Sequence, residues 1–310
     1  MMIMMDGVVK RYNELIALDH FSFNAQDGEI VGLLGPNGCG KTTAINCMLS
    51  LLRFDSGDIE IFGRRVDSNN NDVKRRIGIV PQELAIFDKL NVYENIDFYC
   101  GLYIQNSKER KKLVEEAIDF VGLDKYRRFT PGKLSGGLKR RLNIACGIAH
   151  KPELLFMDEP TVAVDAQSRN FILEGVKKMK ADGRTVIYTT HYLEEAEQLC
   201  DRMVIMDQGR NIAQGTVGQL QESISTQERV EVGFLTEDPG MKKRLSELPH
   251  VVKVTNKNDN YLIHFEKQEN NLANLIKFIE SNNLTYTDLT SERATLSDIF
   301  LELTGKELRD

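Results

Sequence analysis

Short apolar runs alternate with amphipathic stretches along the first 220 or so residues of the chain. Four runs have the length of a buried strand, namely Val31–Leu34, Arg76–Val80, Leu154–Met157 and Thr185–Tyr188. Such runs, separated by helical patterns, are typical of an α/β domain with a largely parallel sheet. Between about residues 84 and 150 the strand-like runs are absent, and apolar residues such as Leu138 and Leu142 recur at helical spacing. The pattern therefore predicts a helical insertion within an α/β domain.

The C-terminal part of the chain has a different pattern. Alternating apolar residues predict strands near 230–234, 252–254, 261–265 and from 284, and helical spacing predicts helices near 241–248 and 272–279. This order, βαββαβ, is the split pattern of ferredoxin-like domains. Thr295 and Asp298 have the spacing of a capping box, which predicts a final helix. The polar stretch Gln221–Arg229 is predicted to be a linker between domains 1–220 and 230–310.

The composition is that of an ordinary globular protein. The chain has 310 residues, 41% of them hydrophobic and 28% charged, and its formal charge of −6 gives no electrostatic footprint for nucleic acid. At about 150 residues per domain, this length agrees with two domains. No apolar run approaches the roughly 18 residues of a membrane span, and Met1–Met5 lacks the basic flank of a signal peptide. Five scattered cysteines indicate reduced thiols in a cytosolic protein, with neither a disulfide framework nor a zinc site.

A glycine-rich motif follows the apolar run that ends at Leu34. The segment GPNGCGKT matches GxxxxGK[ST], and the pattern of a helix follows it. In this context backbone N–H groups and a helix N-terminus bind phosphate, which favours a phosphate loop over an incidental turn. Lys41 would neutralise the β- and γ-phosphates, the Thr42 hydroxyl would bind Mg²⁺, and the same positive field would lower the pKa of Cys39. The predicted nucleotide-binding residues are Gly35, Pro36, Asn37, Gly38, Cys39, Gly40, Lys41, Thr42 and Thr43.

Two adjacent carboxylates end the apolar run Leu154–Met157. A buried strand would deliver Asp158 to a Mg²⁺ ion at the carboxyl edge of the sheet, where the ligands of α/β proteins bind. Glu159 could then accept a proton from the attacking water. Taken alone, the pair leaves open the alternative that the carboxylates only cap the next turn. The phosphate loop earlier in the chain favours the catalytic interpretation.

A third motif, Leu134–Leu138, precedes the basic residues Lys139–Arg141. Ser135 is a favourable N-cap, and Gly136 and Gly137 would expose backbone N–H groups to an anion. Taken alone, these residues are better explained as the capped start of a helix.

Together, the motifs resemble those of the nucleotide-binding subunit of an ATP-binding-cassette transporter. Five occur in the family's order: the phosphate loop, Gln82, the signature Leu134–Leu138, the pair Asp158-Glu159, and His191. The resemblance implies that Tyr12 stacks on adenine, that Gln82 contacts Mg²⁺ and the water, and that His191 contacts the γ-phosphate. It also implies a head-to-tail dimer with a second copy or a homologous chain. In that dimer the opposing subunit would contribute Ser135, Gly136, Gly137 and Asp165.

The chain departs from the family pattern at three positions. Leu138 stands where the family often has Gln, and Ala163 and Ala166 stand where close relatives usually have Gly and Pro. An alanine forced into the left-handed backbone region would cost about 1 kcal/mol.

The segment Ala294–Gly305 is similar to the ending of bacterial export ATPases of the multidrug and sodium-extrusion type. The fold this implies is α/β, a phosphate-loop NTPase core with a helical insertion, plus a small α+β ferredoxin-like C-terminal domain. The implied function is to use ATP and Mg²⁺ to power export of a drug, ion or lipid-like substrate. Export would pass through a separate transmembrane permease, with the ATPase on the cytoplasmic face of the cell membrane.

The alternative is a soluble cassette ATPase that acts on ribosomes or nucleic acid. Such proteins usually carry two cassettes in tandem or a long coiled coil, and the sequence contains neither. No nucleic acid partner is therefore expected.

Overall fold

The computed structural model describes residues 1–67, 69–224, 226–235, 238–266, 268 and 270–305. Contacts divide the chain into two compact units, Met1–Gly215 and a second that begins at Thr216. The strands of the first unit are β1 (Ile3–Tyr12), β2 (Leu15–Ala25), β3 (Ile30–Leu34), β4 (Ser56–Ile61), β5 (Arg64–Arg65), β6 (Ile77–Val80), β7 (Leu154–Asp158), β8 (Thr185–Thr190), β9 (Arg202–Asp207) and β10 (Arg210–Gly215). Its helices are α1 (Lys41–Met48), α2 (Asn71–Arg75), α3 (Val92–Gly101), α4 (Ser107–Phe120), α5 (Gly136–Ile148), α6 (Ala166–Ala181) and α7 (Leu193–Leu199).

A six-stranded sheet of order β10-β9-β3-β8-β7-β6 forms the centre of the first unit. Neighbouring strands are parallel except for β10 and β9, as the apolar runs predicted. In β7, Leu155 and Met157 pack into one core cluster, and Leu154 and Phe156 pack into another. Both faces of the strand are therefore buried, which explains why its sequence is a continuous apolar run.

The carboxyl ends of β3, β7 and β8 meet at one edge of this sheet. Leu34 pairs with Thr190, and Asp158 pairs with Thr189. This register brings together the segments that follow the three strands, which contain the phosphate loop, Glu159 and the histidine after β8. The edge is where ligands of open α/β sheets collect.

A second sheet, antiparallel and of order β2-β1-β4-β5, was not predicted from the apolar runs. Its strand β1 alternates buried and exposed residues from Ile3 to Asp6, a pattern without a long apolar run. Phe21 and Phe23 of β2 share a core cluster with Ala44 of α1. This sheet carries Tyr12 at the end of β1.

Helices fill the predicted insertion. Helix α3 packs against α4 and α5, and their apolar faces form one core cluster with the central sheet. Each helix begins at a side-chain cap: Asn91 for α3, Asn106 for α4 and Ser135 for α5. Such caps satisfy N–H groups that have no partner within the helix.

The second unit has the ferredoxin-like order that the sequence predicted. Its elements are α8 (Val217–Glu222), β11 (Thr226–Phe234), α9 (Met241–Ser246), β12 (Val251–Lys257), β13 (Asn260–Glu266), α10 (Asn271–Ser281), β14 (Tyr286–Arg293) and α11 (Leu296–Thr304). The sheet is antiparallel with order β12-β13-β11-β14. Helices α9 and α10 bury Leu245 and Leu275 against Val230 and Ile263 of the sheet. The capping box of Thr295 and Asp298 begins α11, as predicted.

The structure corrects the predicted linker. Helix α8 extends to Glu222 and β11 begins at Thr226, so these elements occupy much of 221–229, and the contacts divide at Gly215 rather than at residue 220. Several described side chains of this stretch have polar partners within the second unit. Arg229, for example, donates hydrogen bonds to Asp298 (3.2 Å) and Glu292 (3.0 Å).

Among the described residues, no helix combines the length and the apolar character needed to cross a membrane.

Candidate active site

The phosphate loop joins β3 to α1, and its backbone requires glycine. Gly40 has a φ of 113°, which side chains rarely adopt. A Cβ at Gly35 would lie 2.3 Å from the carbonyl oxygen of Met206, so no side chain fits there. Gly40 is also the N-cap of α1 and provides no side-chain acceptor, which leaves N–H groups of the first turn for an anion.

Lys41 begins α1, and its side chain is only 5% exposed. Nζ donates hydrogen bonds to the carbonyl oxygens of Gly35 (2.8 Å) and Pro36 (3.2 Å), so the side chain folds over the loop. The ammonium nitrogen also lies 3.7 Å from Glu159 Oε1. The loop and the carboxylate after β7 therefore share one cation.

A cavity of about 1080 Å³ opens beside the phosphate loop. Tyr12 borders this cavity and is 44% exposed, which makes its ring accessible to a planar ligand. Leu15 and Ile16 also border it and add apolar surface that the motifs did not predict. The other predicted residues along its walls are Asn37, Gly38, Cys39, Gly40, Lys41, Thr42, Thr43, Gln82 and Glu159.

Asp158, at the end of β7, is held by two hydroxyl groups. Thr42 Oγ1 donates a hydrogen bond to Asp158 Oδ2 (3.0 Å), and Thr189 Oγ1 donates one to Asp158 Oδ1 (2.6 Å). The Thr189 contact follows from the pairing of these two residues in neighbouring strands. The result is a set of oxygen atoms next to the phosphate loop, which is the ligand type that Mg²⁺ prefers.

Three predicted catalytic residues surround the buried carboxylate of Glu159. Gln82 Nε2 donates a hydrogen bond to Oε2 (3.2 Å), His191 Nδ1 lies 3.4 Å from the same oxygen, and Lys41 approaches Oε1. The backbone of Glu159 has a φ of 46°, and its N–H donates to Thr189 Oγ1 (2.9 Å). We call Lys41, Gln82, Glu159 and His191 the catalytic cluster, after the roles that the sequence predicts for them.

The signature and Asp165 lie elsewhere in the unit. Ser135 caps α5 and accepts a hydrogen bond from Leu138 N (3.3 Å). A Cβ at Gly137 would lie 2.1 Å from Ser168 Oγ, and Ser168 in turn donates two hydrogen bonds to Asp165, which lower the pKa of that carboxyl. Of the described residues that border the cavity, none belongs to this group. The structure thus places Ser135, Gly136, Gly137 and Asp165 outside the catalytic cluster of their own chain.

Known proteins share both parts of this architecture. Residues 18–162 match the family model of the ABC transporter, and residues 215–304 match that of the ATP-binding protein DrrA1-3-like, C-terminal domain. The chain is 38% identical to the linearmycin resistance ATP-binding protein LnrL of Bacillus subtilis (strain 168), and the alignment covers 100% of both chains. The chain belongs to the ATP-binding subunits of ABC transporters.

A second relative and a solved structure agree with this assignment to the ATP-binding subunits. The Nod factor export ATP-binding protein I of Burkholderia thailandensis is 34% identical over 98% of this chain and 97% of that protein. The dimeric structure of a post-hydrolysis state of the ATP-binding cassette MJ0796, bound to ADP and Pi, has a TM-score of 0.64 and 26% identity, covering 69% of this chain and 98% of that one. The protein is an ATP-hydrolysing subunit that serves export, which confirms the family, fold and activity predicted from the sequence.

Cys39 of this ATPase differs from its predicted chemistry. Burial raises the pKa of its thiol above the ordinary value, and the attraction of Lys41 only partly opposes that shift. The prediction of a lowered pKa is wrong, because the thiol packs inside the loop instead of facing solvent. Its Sγ would lie 2.6 Å from a Cβ at Gly35.

The two alanines that depart from the family pattern have different backbones. Ala163 has a φ of 58°, in the left-handed region, within the turn between β7 and α6. Ala166 is the first residue of α6, where a helical backbone suits alanine. Strain from the departure is therefore confined to Ala163.

Ala163→Gly is expected to raise the free energy of unfolding by about 1 kcal/mol, because glycine adopts positive φ without steric cost. Urea unfolding of the wild-type and variant proteins measures the difference. The control is Ala181→Gly at the end of helix α6, which is expected to lower the free energy of unfolding by up to about 1 kcal/mol. An Ala163→Gly protein no more stable than wild type would contradict the assignment of strain to this residue.

Residues outside the five motifs also build the site. Thr189 contacts both Asp158 and the backbone of Glu159, but in the sequence it is visible only as a neighbour of His191. Arg210 borders the cavity from β10, far along the chain from the phosphate loop. Only the strand order, which single-sequence patterns do not provide, could have identified these positions.

Proposed function

We propose that this ATPase subunit uses Mg²⁺ and works as one half of a head-to-tail dimer on the cytoplasmic face of the cell membrane, where it powers export through a separate permease. The observation that carries the catalytic part is the convergence of Lys41, Gln82 and His191 on Glu159, one residue after Asp158. Donors and cations around one carboxylate, next to oxygen ligands, suit transfer of a terminal phosphoryl group to water.

The residues present fit ATP. Lys41 and the N–H groups at the start of α1 provide positive charge for the β- and γ-phosphates. Tyr12 borders the same cavity and would stack its ring on adenine. Asn37 and Thr43 border the cavity as well and would contact the phosphates.

The donor set also fits Mg²⁺. Asp158 Oδ2 and Thr42 Oγ1 are 3.0 Å apart, and the amide oxygen of Gln82 is a third possible ligand. When bound, Mg²⁺ would neutralise charge on the phosphates and orient them. Thr189 holds the other oxygen of Asp158, so that Oδ2 stays beside the phosphate loop.

Glu159 serves as the general base for the attacking water. Its carboxylate is buried, and the hydrogen bond from Gln82 and the nearby imidazole of His191 keep it in place. A carboxylate in this position can accept a proton from water as the bond to phosphorus forms. His191 lies beside the same oxygen and would stabilise charge on the γ-phosphate.

The signature of one chain would complete the site of the other. Helix α5 begins after Ser135, and its N-terminus attracts anions. Ser135 and Gly137 lie outside the cavity of their own chain. A two-fold dimer that places each α5 opposite the phosphate loop of the other chain would therefore form two equivalent sites. The dimeric structure of a cassette of similar fold supports the formation of a dimer.

An exposed aromatic patch is suited to contact with the permease. We define the patch as Phe87 and Phe98, which are 43% and 45% exposed and whose ring centroids are 4.9 Å apart. Exposed aromatic side chains are typical anchors of protein interfaces. Arg140 donates a hydrogen bond to the carbonyl oxygen of Gln82 (2.8 Å), so α5 holds the segment between the patch and the catalytic cluster. A movement of the patch would therefore displace Gln82, and with it the hydrogen bond from Gln82 to Glu159.

Copurification from detergent-solubilised membranes tests this partner. We expect the wild-type protein to recover a membrane-spanning protein and Phe98→Asp to recover about ten-fold less of it, because a charge in the centre of an interface is costly. Phe171→Asp is the control, since Phe171 is also exposed and an aspartate there can pair with Arg141. Recovery of ribosomes or nucleic acid in place of a membrane protein would contradict the proposal.

A further inference from the structure

A buried carboxylate outside the catalytic cluster joins three segments of the ATPase unit. Glu195 lies in α7 and is 3% exposed. Its Oε2 accepts hydrogen bonds from the hydroxyl groups of Thr161 (2.8 Å), Tyr188 (2.8 Å) and Thr190 (3.3 Å). Its Oε1 lies 3.3 Å from Arg169 Nε. A buried carboxylate is costly unless it is hydrogen-bonded and paired, and this one has three donors and a guanidinium.

The partners of Glu195 belong to segments that carry catalytic groups. Thr161 lies two residues after Glu159, in the turn that follows β7, and is fully buried. Thr190 is the last residue of β8 and directly precedes His191. The carboxylate of Glu195 thus accepts one hydrogen bond from the segment that carries Glu159 and another from the segment that carries His191.

The turn that carries Glu159 needs such support. A φ of 46° is unfavourable for a residue with a side chain, so the surroundings must hold it in place. The hydroxyl of Thr189 accepts the N–H of Glu159 at the start of the turn. The hydrogen bond from Thr161 to Glu195 holds the turn two residues later.

We propose that Glu195 is a positioning residue for ATP hydrolysis, whose carboxylate ties the turn that carries Glu159 to the strand end that carries His191. The proposal rests on the proposed roles of those two residues. It accounts for the 3.4 Å separation of Glu159 Oε2 and His191 Nδ1, which depends on two segments far apart in the sequence. Arg169 extends the link to α6, whose N-cap is Asp165, the residue proposed to reach the opposing chain.

Thr161 and Tyr188 provide a matched pair for testing this role. Both hydroxyls donate to the same carboxylate oxygen at 2.8 Å, and both side chains are fully buried. Burial, with the nearby charge of Glu195, raises the pKa of Tyr188, so its phenol stays protonated and donates. The hydroxyl of Tyr188 reaches Glu195 from β8, as that of Thr190 also does, whereas the hydroxyl of Thr161 reaches it from the turn after β7.

The two hydroxyls should therefore differ in their effect on catalysis. Thr161→Val is expected to lower kcat about ten-fold to a hundred-fold with KM for ATP within about two-fold, because a displaced base loses rate without loss of phosphate binding. Tyr188→Phe is expected to keep kcat within about two-fold although it removes an equally buried hydrogen bond. Thr161→Ser restores the hydroxyl and is expected to restore kcat to within about three-fold of wild type.

The measurement is steady-state hydrolysis of Mg-ATP at a temperature where thermal scans show every variant folded. Equal loss of kcat in Thr161→Val and Tyr188→Phe would indicate general weakening and overturn the proposal. Wild-type kcat in Thr161→Val, or a Thr161→Ser protein as slow as the valine variant, would overturn it as well. Wild type and Glu159→Gln are measured in the same series to distinguish failure of the Glu195 proposal from failure of the proposed general base. A Glu159→Gln protein with wild-type kcat would refute the role of Glu159 as the base.

Discussion

Glu159→Gln is expected to lower steady-state ATP hydrolysis by about 10²-fold to 10⁴-fold while the Kd for ATP stays within about two-fold of wild type. The amide has the size of the carboxylate but cannot accept a proton from the attacking water. Lys41 and Thr42, which are proposed to hold the phosphates and Mg²⁺, are unchanged by the substitution. The effect should therefore fall on kcat and spare nucleotide binding.

Phosphate release under multiple turnover and an equilibrium titration with ATP measure the two quantities. Glu194→Gln is the control, because it makes the same change at an exposed carboxylate of α7 that has no proposed role in hydrolysis, and it should retain the wild-type rate. A Glu159→Gln protein that hydrolyses ATP within a few-fold of wild type would exclude Glu159 as the base.

Mixing a Lys41→Ala chain with a Ser135→Arg chain is expected to restore ATP hydrolysis, which neither variant performs alone. Each homodimer of a single variant has two damaged sites, because every site contains a phosphate loop from one chain and a signature from the other. In the mixed dimer, one site combines the intact Lys41 of one chain with the intact Ser135 of its partner. Random pairing would make half of the dimers mixed, and so restore about a quarter of the wild-type sites.

Titration of one variant into the other, with ATP hydrolysis as the readout, measures this recovery. The rate should peak near an equal mixture and vanish at either end. A control mixture of Lys41→Ala chains with Lys41→Ala, Ser135→Arg chains has no intact composite site and should stay inactive. Wild-type protein that remains monomeric at every ATP concentration, with a specific activity independent of protein concentration, would contradict the dimeric site.

Much of this protein was predictable because the responsible interactions are local in the sequence. The phosphate loop depends on glycine geometry and the charge of Lys41 within a few consecutive residues. The strands β3, β7 and β8 contain the apolar runs Ile30–Leu34, Leu154–Met157 and Val186–Tyr188 because they are buried on both faces. The ferredoxin-like order of the second unit follows from the periodicity of its strands and helices, which each segment shows by itself.

Other features depend on which segments meet in space. Thr189 donates a hydrogen bond to Asp158 because the two residues are paired in β8 and β7. The sequence patterns do not show which strands pair. Glu195 has donors from the turn after β7 and from β8, as well as a guanidinium from α6. No motif marks it, since its partners are defined only by the packing of α7.

Burial and long-range pairing also explain the two predictions that the structure corrects. The thiol of Cys39 has a raised pKa because the surrounding loop removes it from water. The sequence reveals only the nearby charge of Lys41, which lowers the pKa. Residues near Arg229 were predicted to be a linker because they are polar, yet Arg229 pairs with Asp298, 69 residues further along the chain. Local patterns in a sequence report the chemistry of each segment, whereas desolvation and pairing between distant residues arise only when the chain has folded.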